Sequence, residues 1–258
     1  MSTKLKTSEI GYDIDILVQG YPGKAVCHGG LGWSTVVLIR GHGCNILVDT
    51  GGFGMRGLLQ EKLDDHGLKP SNISHVLLTH SHYDHSVNWT MFPNAKIFLG
   101  KIELDWALRE PWGTTPVPEL YVEKLNNWPT LVTLNDGDEA LPYISAFVAP
   151  GHTPGCLVFL LSGQNRDLIF TGDAAKNRAE LVSGNTDMTY DPAISRDSIG
   201  MIWKLWKQRS GSIVIPRHDV PLAQEDGVIR KLGKHEAAIK SWSGDDMETT
   251  TLYRLFDQ

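Results

Sequence analysis

Leu77-Leu78-Thr79-His80-Ser81-His82-Tyr83-Asp84-His85 is the stretch on which the rest of the chain is organised. The run over 74–78 reads as a short buried strand, and His80, His82, Asp84 and His85 follow where it emerges into a loop. On an extended or turning backbone, His80 and His82 can aim at one point while Asp84 and His85 aim at another nearby. Neutral imidazole and carboxylate suit zinc or iron, and two ligands complete neither centre. Other parts of the chain must supply more.

Outward from that cluster, the same arrangement recurs. Strands are predicted over 14–18, 35–39 and 46–48, the last ending in Asp49-Thr50-Gly51-Gly52. An aspartate there is placed either to orient a metal ligand from behind or to cap a tight turn. Met55, Leu58, Leu59 and Leu63 have helical spacing before Gly67. A strand over 95–99 and a helix soon after Lys101 come next. Residues 106–129 are read as an irregular excursion rich in aromatics and prolines, with Trp112 proposed as part of a substrate wall. Further strands over 144–148, 156–161, 168–170 and 212–215 lead to His152, Asp173 and Arg217-His218. Ser195 is read as the cap of a helix bearing Ile199, Ile202, Trp203 and Trp206, with the tryptophans as core. A last helix is predicted over 228–242, and 247–258 can add a strand.

A length of 258 residues suits one large α/β domain, and the whole chain, 1–258, is read as one. The net charge of −6 argues against nonspecific nucleic-acid or membrane binding. Lys4 and Lys6 are not followed by an apolar run, so no signal peptide is expected, and no segment has the apolar length of a membrane span. Cys27, Cys44 and Cys156 read as reduced, mostly buried thiols of a cytoplasmic protein.

Sorted by reach, His80, His82 and His152 form a first centre and Asp84, His85 and His218 a second, with Asp173 bridging them. From about residue 14 to 219 the chain resembles the metallo-β-lactamase superfamily. His80 to His85 match its His-X-His-X-Asp-His motif, and His152, Asp173 and His218 match its remaining ligands; Asp49 falls on its Asp-X-Gly strand end. The resemblance implies a four-layer αβ/βα sandwich with two divalent ions, zinc first and iron or manganese as alternatives. Asp173 separates the chain from the antibiotic-hydrolysing branches. The ligand set is similar to those of acyl-homoserine lactonases and glyoxalase II thioesterases. A looser likeness, over 18–21 and 88–93, is to an animal group linked to RNA processing. Two positions depart from the pattern. Arg217 stands where glycine is common, and Lys176 stands where similar lactonases have tyrosine.

The resemblance implies a hydrolase in which a metal-bridging hydroxide attacks a small carbonyl substrate, a lactone before a thioester or an amide. Asp84 or Asp173 would move the proton. Lys176 would hold the developing oxyanion or, with Arg217, an anionic group of the substrate. A metal-dependent phosphodiesterase or nuclease is the alternative, made less favourable by the acidic charge, and an iron redox protein is the third option.

Overall fold

The computed structural model describes residues 7–27 and 29–255; Lys4, Lys6 and residues 256–258, used above, lie outside them. The earlier part of the chain forms a seven-stranded sheet in the order Thr7–Glu9, Tyr12–Val18, Val36–Gly41, Cys44–Val48, His75–Leu77, Lys96–Gly100 and Leu131–Leu134. Its first four strands pair antiparallel and the rest parallel. The connections explain the change. Ile10-Gly11 and His42-Gly43 have positive φ at both residues, the backbone of a two-residue type I′ hairpin turn. The later strands are separated by Arg56–Asp65, Lys101–Ala107 and Glu119–Asn126, helices of the kind that carry parallel crossovers.

The second sheet runs Glu139–Leu141, Ile144–Val148, Leu157–Leu161, Leu168–Phe170, Ile213–Ile215, Leu222–Glu225 and Val228–Lys231. Only Leu168–Phe170 and Ile213–Ile215 are parallel, and helices Arg178–Ser183 and Pro192–Gln208 lie between them in the chain.

Strand alternation shows how the layers stack. Val37 and Ile39 enter the core between the sheets, whereas Val36 and Leu38 face the core beneath the first three helices. In the second sheet Leu157, Phe159 and Leu161 face the first sheet, and Val158 and Leu160 pack with Ile199, Ile202 and Trp206. Strands covered on both faces read as unbroken apolar runs, as these do. Three cores thus separate four layers, helix–sheet–sheet–helix, the αβ/βα sandwich that the family resemblance implies.

Several local expectations need correction. The long helix begins at Asp191, whose Oδ1 accepts from the Ala193 and Ile194 amides at 2.9 and 3.0 Å, with Pro192 at its first position. Ser195 lies inside the first turn. No helix spans 228–242. Asp226 and Gly227 both have positive φ and close a hairpin between Leu222–Glu225 and Val228–Lys231. Ala238–Trp242 pairs with Thr250–Arg254 as a separate two-stranded sheet, which contains the expected C-terminal strand. Within 106–129, Glu119–Asn126 is helical and buries Val122 and Leu125, so only its first half is irregular. Of the cysteines only Cys156 is buried; Cys44 is half-buried and Cys27 exposed. Among the described residues no helix is long and apolar enough to cross a membrane.

Candidate metal centre

The chain leaves the first sheet at Thr79 and turns through His80 and His82 into a single helical turn, Tyr83–Ser86, that carries Asp84 and His85. Asp173 sits on the turn Gly172–Ala175 just after strand Leu168–Phe170. Gly172 has φ +54°, and a Cβ there would stand 2.8 Å from Thr79 Cβ, so the close approach of the two loops requires glycine. His152 follows Gly151, and His218 is fixed by its amide, which donates to the Lys176 carbonyl at 2.8 Å.

All seven predicted ligands converge. His80, His82 and His152 form one group; Asp84, His85 and His218 form another; His80, His85 and Asp173 form a third that joins them. His82 Nδ1 lies 3.0 Å from His152 Nε2. Asp173 Oδ2 is 3.3 Å from His152 Nε2, while its Oδ1 is 3.3 Å from His85 Nε2 and 3.4 Å from His218 Nε2. Asp84 Oδ2 lies 3.6 and 3.5 Å from the same two imidazole nitrogens.

These separations suit a bound cation. Ligands at zinc–nitrogen and zinc–oxygen distances on a tetrahedron are about 3.3 Å apart. His80 Nε2, His85 Nε2 and Asp173 Oδ1 are buried with no hydrogen-bond partner among the described residues, an arrangement costly without something between them. Burial pushes His80 and His152 well below the ordinary histidine range and His82 down to about 4, so these rings are neutral, the form in which imidazole can ligate a cation. Burial would raise Asp173, yet His218, His85 and His152 hold it well below the usual carboxylate range. His85 differs. Burial favours its neutral form, but Asp173, Asp84 and Asp49 lift it to about 9.

Behind the ligands stands a layer of buried hydrogen-bonding groups. Asp49, fully buried and at φ +57°, accepts from the Thr79 amide at 2.7 Å and from Thr79 Oγ1 at 2.8 Å. Its Oδ2 also lies 2.9 Å from His85 Nδ1, which leaves Nε2 for the site. It is not a ligand itself. The sequence reading missed Glu103 and Asn88. Buried Glu103 accepts from Ser81 N–H and Oγ at 2.8 and 2.7 Å, and from Thr153 Oγ1 and Gly155 N–H at 2.6 and 3.2 Å. It therefore ties the His80–His85 loop to the His152 loop. Asn88 Nδ2 donates to the carbonyls of Thr50, Gly51 and Gly52. An isolated glutamate in a helix carries no such signal, because its partners are distant in the chain.

A pocket of about 580 Å³ opens over the ligands, lined among others by Trp106, Pro116, Tyr190, Lys24 and Lys176. Two predicted substrate contacts do not face it. Trp112 is 62% exposed on the turn after Pro111 and lies outside the lining; Trp106 is the tryptophan that lines the pocket. Arg217 is fully buried, with Nε 2.8 Å from Asp49 Oδ2, because its side chain turns into the protein beneath the ligands. Lys176 does line the pocket, but its Nζ is 2.9 Å from Glu180 Oε1 and donates to the Asp187 carbonyl at 2.6 Å.

A histidine–aspartate cluster at the edge of an αβ/βα sandwich defines a class of metal-dependent hydrolases. The sequence model of the Metallo-beta-lactamase superfamily matches residues 29–218, and the chain belongs to that superfamily. It is 25% identical over 218 residues to Metallo-beta-lactamase domain-containing protein 1 of Xenopus laevis, covering 81% of each chain. It is also 25% identical over 157 residues to an N-acyl homoserine lactonase of Bacillus thuringiensis, a match that spans 60% of this chain and 59% of that enzyme. Among solved structures it resembles AidC, a dizinc quorum-quenching lactonase in complex with a product. That likeness has a TM-score of 0.59 and 20% identity, covering 86% of this chain and 91% of the other.

Proposed function

We propose that the chain is a hydrolase of small carbonyl substrates that works with two divalent ions, zinc first, and prefers a lactone to a thioester or an amide. Asp173 carries the reading. Its two oxygens face different ligand groups, His152 on one side and His85 with His218 on the other. His80, His82 and His152 would hold one ion, Asp84, His85 and His218 the other, and Asp173 would contact both. Ions held there would acidify water near neutral pH and polarise a carbonyl.

The remaining work falls to the chain's own groups. Trp106, Pro116 and Tyr190 offer an apolar wall, and the pocket volume is in the range that encloses a small molecule. Asp84, 22% exposed against 6% for Asp173, is the more open carboxylate and moves the proton to the leaving oxygen at Oδ1, since Oδ2 faces the histidines. Lys176 donates to the developing oxyanion by exchanging one of its present partners. Its charge is already balanced by Glu180, so a neutral substrate suffices. The lactonases similar to this chain support the substrate class. Three unpaired cysteines suit a reducing, cytoplasmic setting.

The test is metal analysis beside a panel of lactones, thioesters and bis-p-nitrophenyl phosphate, with wild type and Asp173→Ala. Lactone hydrolysis that disappears together with bound metal in the variant is the expected result. Turnover of the phosphodiester with no lactone hydrolysis overturns the substrate assignment. Lys176→Met should reduce kcat/KM about equally on matched neutral and carboxylate-bearing substrates; loss confined to the anionic member restores the anion clamp.

A further inference from the structure

The residue before His218 presents an unusual group to the underside of the ligand cluster. Arg217 is 0% exposed, and its guanidinium carbon lies 5.9 Å from the Phe170 ring centre. Nη1 donates to the Thr35 carbonyl at 3.2 Å, and buried Nη2 has no hydrogen-bond partner among the described residues. Nε lies 2.8 Å from Asp49 Oδ2, the same oxygen that faces His85 Nδ1 at 2.9 Å and accepts from Thr79 Oγ1 at 2.8 Å. One carboxylate oxygen is therefore shared between a fixed cation and the imidazole of a ligand.

That arrangement has a physical rationale. A buried carboxylate is costly unless a countercharge and hydrogen bonds surround it, and His85 can present Nε2 correctly only while something holds its Nδ1 side. The guanidinium cannot reach substrate, because it lies wholly inside the protein. Simple space filling does not require a charge at this position. We propose that Arg217 is a positioning residue for the second ion: it balances and orients Asp49, and through Asp49 aims His85 Nε2 before the ion arrives. The proposal rests on the two-ion reading above.

Cobalt(II) titration of the metal-free protein, followed by its visible absorption, tests the proposal without turnover. Wild type, Arg217→Met, Arg217→Lys, Asp49→Asn and the double variant Asp49→Asn/Arg217→Met are compared. Wild type should take up two equivalents. In Arg217→Met the first equivalent should bind as before, while affinity for the second falls about tenfold to a hundredfold, the usual effect of losing a group that supports a ligand. Arg217→Lys should recover most of that loss. In the Asp49→Asn background Arg217→Met should add nothing, because the arginine acts through the aspartate.

Unchanged uptake of both equivalents by Arg217→Met overturns the proposal, as does a further loss in the double variant. Should Arg217→Met fail to fold with Asp49 left uncompensated, the double variant removes both buried charges and remains usable. Equal second-ion affinity in Asp49→Asn and the double variant, with Arg217→Lys near wild type, then supports the proposal. A wild-type protein that binds no cobalt fails at an earlier point, and sinks the two-ion reading together with the inference built on it.

Discussion

Glu103→Gln separates the two loops of the metal centre with almost no change in shape. Glu103 is fully buried and accepts four hydrogen bonds, two from Ser81 and one each from Thr153 and Gly155. In the variant the amide oxygen can keep both Ser81 bonds, and the Thr153 hydroxyl can rotate to accept from the new NH₂. The Gly155 N–H cannot adapt. It would face a donor, and an unsatisfied buried donor costs about 1–3 kcal/mol. For a chain of this size that corresponds to a Tm lower by roughly 2–10 °C. Burial raises the Glu103 carboxyl above its ordinary 4.5, outweighing the hydrogen bonds that lower it. Its contribution is therefore full below about pH 4.5 and diminishes as the pH rises through the folded value. Glutamine does not titrate, so the stability gap should be widest in acid and narrow towards neutrality. Urea unfolding of the metal-free protein across that range measures it. An unchanged midpoint at every pH would refute the claim that this carboxylate clamps the loops.

His85, lifted to about 9 by Asp173, Asp84 and Asp49 against the effect of burial, is protonated in the metal-free site at neutral pH. Metal binding should release that proton and tighten as the pH rises towards about 9; calorimetry in buffers of different ionisation enthalpy should show proton release at pH 7 and little above pH 10. Trp106→Ala should change relative rates among acyl groups, whereas exposed Trp112→Ala should leave them and stability within about 0.5 kcal/mol, as paired kinetics and thermal melts will show. Gly151→Ala places a Cβ 2.3 Å from Ser195 Oγ and 2.4 Å from its amide nitrogen, at φ +130°; it should cost about 3 kcal/mol or more in chemical unfolding and weaken metal binding through His152.

The candidate ligand cluster, as a set of residues that converge, was legible in the sequence because its chemistry is local. Three histidines and an aspartate between His80 and His85 have few uses besides binding metal, and His152, Asp173 and His218 each follow a recognisable apolar strand. The four layers could be anticipated from the resemblance, and strands such as Val36–Gly41 fit it because both their faces are covered. Asp226-Gly227 is a turn signal of the same local kind, yet a helix is expected over 228–242; pairing of Val228–Lys231 with Leu222–Glu225 decides for a strand. Side-chain direction was not legible at all. Arg217 and Lys176 lie beside ligands in the chain, yet one turns under the cluster to Asp49 and the other pairs with Glu180. Glu103 meets Ser81, Thr153 and Gly155 only when two distant loops pack together. Residue type and spacing determine which atoms can bind a metal; the packing of the two sheets decides which buried charges hold them in place and which residues are left to meet substrate.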